Sequence, residues 1–229
     1  MADLILFNDT VSVEKSPTTN YSRPMQRIAK IISGLCHPIF VPLLAVLCFF
    51  FCSPFSLIHT STAYRWVVIG MTAISTILLP VSAWIYMRYQ GKWIDLFVVK
   101  QGERWLLYLI SLVSYLTWIF MLRQAHATPL MVAAMSAFLI NLLVMLVNFR
   151  WKISAHAASS GGVFGVVCGM SYSFYMNSPL VLCVLLLLSL SVLLSRLILQ
   201  AHTPWQVVAG FYLGATVAFS VVTLYYAFL

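Results

Sequence analysis

The chain has 229 residues, 62% of them hydrophobic and only 8% charged, where a soluble domain carries roughly 25% charged residues. With a mean hydropathy of +0.97, the composition excludes a water-soluble globular protein and makes a lipid bilayer the natural solvent. The net charge of +8 comes from 13 basic and 5 acidic residues. The basic residues fall at the ends of apolar runs, where lipid headgroups lie, which excludes a nucleic-acid surface as their purpose.

Residues 1–30 are polar and read as a mobile tail; residues 31–229 read as one transmembrane helical domain. The first long apolar run begins near Ile31, too late and too long for a secretory signal. Seven apolar spans follow, near 31–52, 66–87, 105–122, 129–149, 157–175, 179–199 and 205–228, each about as long as the roughly 20 residues a bilayer requires. The expected fold is therefore all-α, a polytopic transmembrane helix bundle. It has six spans rather than seven if the first, broken by Pro38 and Pro42, does not cross. Pro80 is expected to bend the second. Glycines recur every fourth residue at Gly161, Gly165 and Gly169, and again at Gly210 and Gly214. This spacing puts them on one helix face and allows close helix packing. The five cysteines lie in or beside apolar runs with no metal-ligand spacing, and read as small apolar side chains.

Polar residues punctuate these runs at three places: Lys100 to Arg104 before the third span, Arg150 to His156 before the fifth, and Ser195 to His202 before the seventh. Each pair of stretches is separated by an even number of crossings, so all three meet on one membrane face. That face collects Lys100, Arg104, Lys152, Ser154, His156, Ser195, Arg196 and His202, a set suited to an oxyanion such as phosphate. Arg196 carries most weight, because a charge placed so close to apolar helices is a functional candidate. Lys100 and Arg104, taken singly, also fit interfacial anchors. His37, His59 and His126 read as packing or loop residues outside the site.

Ser195-Arg196 followed by His202 resembles the third signature, SR-x5-H-x3-D, of the type 2 phosphatidic acid phosphatase (PAP2) superfamily. Ile153-Ser154-Ala155-His156 resembles its second signature, PSGH, at the right topological distance. AHTPWQVVAGFYLG is similar to the last helix of many bacterial members. The resemblance covers the C-terminal third of the chain well and the middle weakly. The first signature, K-x6-RP, has only Lys100 and Arg104 as stand-ins, and the closing aspartate of the third is Gln206.

The resemblance implies a lipid phosphatase without cofactor or metal. It would act on a phosphomonoester or diphosphate of a membrane lipid or prenyl carrier, through a phosphohistidine. His202 would be the nucleophile, His156 the acid and then the base, and Gln206 the orienter of His202. Arg196, Lys100, Arg104, Ser154 and Ser195 would bind phosphate. Glu103, with Asp95 next, is the acidic residue able to supply the missing carboxylate. Two other readings stay open: a non-catalytic relative that binds or transports lipid phosphate, and a haem-binding membrane subunit using paired histidines. All basic residues except Arg65 and Arg123 fall on the site face, so the positive-inside rule puts that face in the cytoplasm, of a bacterial inner membrane by resemblance.

Overall fold

The computed structural model describes residues 21–51, 60–89, 104–175 and 179–228, with residues 104 and 105 described through their backbone. All regular structure among them is helical. The order is α1 (Arg23–Leu35), α2 (Val41–Phe51), α3 (Thr62–Ala73), a π-turn (Ile74–Leu78), α4 (Leu79–Tyr89), α5 (Arg104–Gln124), α6 (Thr128–Asn148), α7 (Ala155–Ser173), α8 (Pro179–Ile198) and α9 (Pro204–Ala227). Among the described residues, five helices are long and apolar enough to cross a membrane: Thr62–Tyr89, Leu106–Gln124, Thr128–Asn148, Pro179–Ile198 and Pro204–Ala227. The protein is an all-helical membrane bundle. The outward side of α8 shows what lipid would meet: Leu180, Val184, Leu187, Leu188 and Leu194 are exposed.

The first expected span is not one helix. Pro38 has no N–H and its ring would clash with the carbonyl four residues back, so α1 stops at Leu35 and the chain turns through 36–40 before α2. The polar tail expected over 1–30 also gives way earlier than its composition suggests, because α1 begins at Arg23. Its pattern is amphipathic. Met25, Ile28, Ile31 and Leu35 share one exposed face, and Arg23, Arg27 and Lys30 share another. This is the pattern of a helix at a membrane–water interface. Ala29 and Ser33, one turn apart, are its buried contact stripe, and α8 is the helix it packs against.

Short α2 carries the chain to the other end of the bundle. Val46 and Phe50 pack with Trp118, Leu122, Ala127 and Leu130, around the α5–α6 turn. Tyr64 Oη donates to Ala125 O at 3.1 Å, tying the start of α3 to that same turn. α1 therefore stays at the end where α7 and α9 begin. The second span runs without a break from Thr62 to Tyr89, and the π-turn sits just ahead of Pro80. Such a turn takes up the ring that a regular α-helix would not accommodate. Thr72 braces it: its hydroxyl donates to Val68 O at 2.8 Å and accepts from Trp118 Nε1 at 3.0 Å.

At the centre is the α7–α9 pair. α7 has 19 residues, and Ala157, Ala158, Gly161, Gly162, Gly165 and Gly169 are all buried. A Cβ at Gly161 would collide with Phe211 O, one at Gly165 with Ala215 O, and one at Gly214 with Ala158 O. The two backbones therefore touch along three turns, with dispersion and Cα–H contacts where side chains would otherwise hold them apart. Gly214→Ala is expected to destabilise the protein by about 1–3 kcal/mol, as for other overpacked sites. Gly70→Ala, where a Cβ meets nothing within 4 Å, is expected to be neutral or mildly stabilising. Thermal unfolding in one detergent compares the two, and equal melting temperatures would refute the contact.

Candidate functional site

Two helix starts, held by this pair, build the site. At α7, Ser154 is the N-cap and fully buried; its Oγ accepts from Ala157 N at 3.4 Å. Its own N–H donates to Gln206 O at 3.2 Å, bonding the start of α7 to the first turn of α9. Gly210 lies one turn further on, and a Cβ there would sit 2.7 Å from Ser154 O. The glycine is what lets the two N-termini meet. His156 occupies the first turn of α7 and is carried with it.

The α8–α9 connection explains the spacing between Arg196 and His202. α8 ends at Ile198, and Gln200 adopts φ 51°, the left-handed conformation that commonly closes a helix. Ala201 N–H then folds back to Arg196 O at 3.1 Å. The chain needs only His202 before Thr203 caps α9. Thr203 Oγ1 accepts from Gln206 N at 3.4 Å, and Gln206 Oε1 accepts from Thr203 N at 3.1 Å, a complete capping box.

The same Gln206 Oε1 lies 3.2 Å from His202 Nδ1. Because it accepts the Thr203 N–H, this atom is the amide oxygen and not the nitrogen. An oxygen of this kind only accepts, so Nδ1 carries the hydrogen and, in the neutral ring, Nε2 carries the lone pair. His156 is set the opposite way. Its Nε2 lies 3.2 Å from Ser33 O, which also only accepts, so Nε2 carries the hydrogen and Nδ1 the lone pair. Arg196 Nη1 donates to Ser33 Oγ at 2.6 Å. His37 stands edge-on to His156 with ring centroids 5.1 Å apart, and its Nδ1 accepts from Ile39 N at 3.3 Å. Arg196 is close enough for its charge to act on both His37 and His156.

These groups line one cavity of about 790 Å³, whose wall includes Lys30, Ser33, His37, His156, Arg196 and His202. Three histidines, a guanidinium and an ammonium at one opening can bind a polyanion, donate protons to it and offer it a neutral imidazole nitrogen. The cavity continues into an apolar groove of about 470 Å³ that shares Pro38, Tyr115, Asn141 and Ala155 with it and runs beside α7 to Met170.

Of the residues singled out in the sequence, the structure brings together His156, His202, Gln206 and Arg196, with Ser154 just behind His156. Ser195 is not brought to the cavity. It is buried and its hydroxyl donates to Val192 O at 2.7 Å, within its own helix. Arg104 begins α5. Lys100, Glu103 and Asp95 lie outside the described residues.

His37, which reads in the sequence as a packing residue, stands in the cavity wall with Ser33 and Lys30, which carry no sequence signal of their own. The signal was the proline at 38. By ending a helix on the site face, it puts the residues just before it at a helix end beside the site instead of inside a span.

A family model described as the PAP2 superfamily matches residues 133–229. Searches of curated proteins and of solved structures return no match. The matched residues take in most of α6 and all of α7, α8 and α9, including the capped helix starts that hold His156 and His202. The stretch that resembles the PAP2 superfamily is thus residues 133–229, the glycine-packed core with its two histidines.

Proposed function

We propose that the protein is a membrane phosphatase that hydrolyses a phosphomonoester or diphosphate on a lipid or prenyl carrier. The PAP2 match over residues 133–229 supports phosphatase chemistry at the level of the superfamily. The observation that carries the reading for this chain is His202. Its Nδ1 is committed to Gln206, its Nε2 is the basic nitrogen, and His156 and Arg196 share its cavity. The apolar groove running from that cavity beside α7 supports a substrate with a hydrocarbon chain.

In this mechanism His202 Nε2 attacks phosphorus and forms an N–P bond. The bond from phosphorus to the ester oxygen breaks, and His156, which takes up a proton on Nδ1 once the substrate's anion is bound, gives that proton to the oxygen. Water then attacks phosphorus, His156 Nδ1 takes its proton, and the N–P bond breaks to release phosphate and restore His202. Arg196 stabilises the equatorial oxygens, with Lys100 and Arg104 assigned the same task by resemblance. Ser154 shapes the start of α7 from behind His156, and the buried hydroxyl of Ser195 has no part in binding. The positive-inside bias supports a cytoplasmic site face, and Arg23, Arg27 and Lys30 of α1 add to it.

Gln206 fixes the His202 tautomer but supplies no charge. Replacing an acid by its amide costs about 10⁴ in a serine-protease triad, where the amide selects the wrong tautomer; here the tautomer is right, so the deficit is smaller. A charged hydrogen bond is worth about 1 kcal/mol more than a neutral one, so Gln206→Glu is expected to raise turnover about fivefold. The longer acid keeps the capping box. Gln206→Ala is expected to lower turnover, and initial rates of the three proteins decide. If Glu103 supplies the carboxylate instead, Glu103→Gln abolishes activity and Gln206→Glu adds nothing.

Phosphate release from phosphatidate, phosphatidylglycerol phosphate, undecaprenyl diphosphate and lipid A phosphates is the test of the function itself. At least one substrate is expected to turn over, and His202→Ala and Arg196→Ala to stop it. No release from any of them, or release unaffected by His202→Ala, would sink the reading and leave lipid-phosphate binding or transport in its place.

A further inference from the structure

The family match begins at residue 133, yet the residue that touches both Arg196 and His156 comes from α1, a hundred residues earlier in chain order. We propose that Ser33 is a positioning residue of the anion site: its hydroxyl holds the Arg196 guanidinium, and its carbonyl sets the tautomer of His156. The proposal rests on the site being one for phosphate and adds the element that presents its groups.

The carbonyl is available because of the break at Pro38. In a continuing helix Ser33 O would accept from His37 N, but His37 N turns to Gly34 O at 3.3 Å instead. Ser33 O is thus one of the orphan carbonyls of a helix end, and His156 Nε2–H satisfies it at 3.2 Å. The end of α1 also directs the negative pole of its dipole at the cationic cavity, where Lys30, His37, His156, Arg196 and His202 gather.

Neither contact caps the group it holds. A guanidinium has five N–H donors, and the bond to Ser33 Oγ at 2.6 Å commits one, at Nη1. His156 is held by Nε2, which keeps Nδ1 as the nitrogen that carries protons to and from a substrate. Ser33 is 7% exposed, and Ala29, a turn before it, is 2% exposed. A small-residue stripe against α8 gives the hydroxyl a fixed place beside Arg196, as a positioning contact requires.

The test uses the full-length protein in detergent, with Ser33→Ala, Ser33→Thr and Arg196→Ala. Orthovanadate binding is read from thermal stabilisation, and hydrolysis from phosphate release. Ser33→Ala is expected to weaken orthovanadate about tenfold and to lower kcat/KM by a similar factor, mainly through KM. These are the consequences of loosening one charge-assisted contact. Ser33→Thr, which restores the hydroxyl, is expected to stay within about threefold of wild type, and Arg196→Ala to lose orthovanadate binding. ¹⁵N spectra of the histidines are expected to show His156 protonated on Nε2 and His202 on Nδ1.

Unchanged or tighter orthovanadate binding in Ser33→Ala, at unchanged melting temperature, would overturn the positioning role. So would an Nδ1-protonated His156, or a wild type that does not bind orthovanadate. A wild type that binds orthovanadate but releases no phosphate would overturn the phosphatase reading alone, and the Ser33 comparison would still be read from binding.

Discussion

The backbone contact between α7 and α9 is the constraint on which the rest depends. Two helices normally stand 8–10 Å apart because side chains intervene. Here Phe211 O, Ala158 O and Ala215 O occupy the places where side chains would begin. In a bilayer there is little hydrophobic force to drive helices together, so close packing is the available means. Its effect on function is registration. Ser154 N–H reaches Gln206 O, and the first turn of α7, which carries His156, is held level with the start of α9, which His202 directly precedes. Side-chain packing with several rotamers would not fix two imidazoles so closely.

Much of this was legible in the sequence, for identifiable reasons. Apolar runs of bilayer length and glycines at every fourth position are signals of the backbone itself, so the bundle and its tight pair could be read directly. Counting crossings placed His156, Arg196 and His202 on one face without knowledge of any contact. Other parts were not legible. α1 is too polar to register as a span and too short to announce itself, although its apolar residues follow a helical period. Ser33 is an ordinary serine in every local respect, and its importance arises from residues 123 and 163 positions away. Ser195 shows the converse. It sits beside Arg196 in a motif, yet the helix turns it towards its own backbone.

The site handles its hydrogen bonds with neutral acceptors. Among the described residues, the amide of Gln206 and the backbone carbonyl of Ser33 do the orienting that a carboxylate does in many hydrolases. An acceptor without charge costs little to bury, and it leaves the positive field of the cavity undiminished for an arriving anion. The same choice gives up part of the stabilisation of a charged imidazole. The cavity is thereby weighted towards binding its anion rather than towards holding a cationic ring.

Gln206 joins two requirements in one atom. Its Oε1 completes the cap of α9 and also fixes the His202 ring, so any change there is felt by helix stability and by ring orientation together. Glutamate is the other residue favoured at that place in a capping box, and its codons differ from those of glutamine only in the first base. A neutral and an acidic form of this site are therefore neighbours in the genetic code, linked by a path on which the helix never loses its cap.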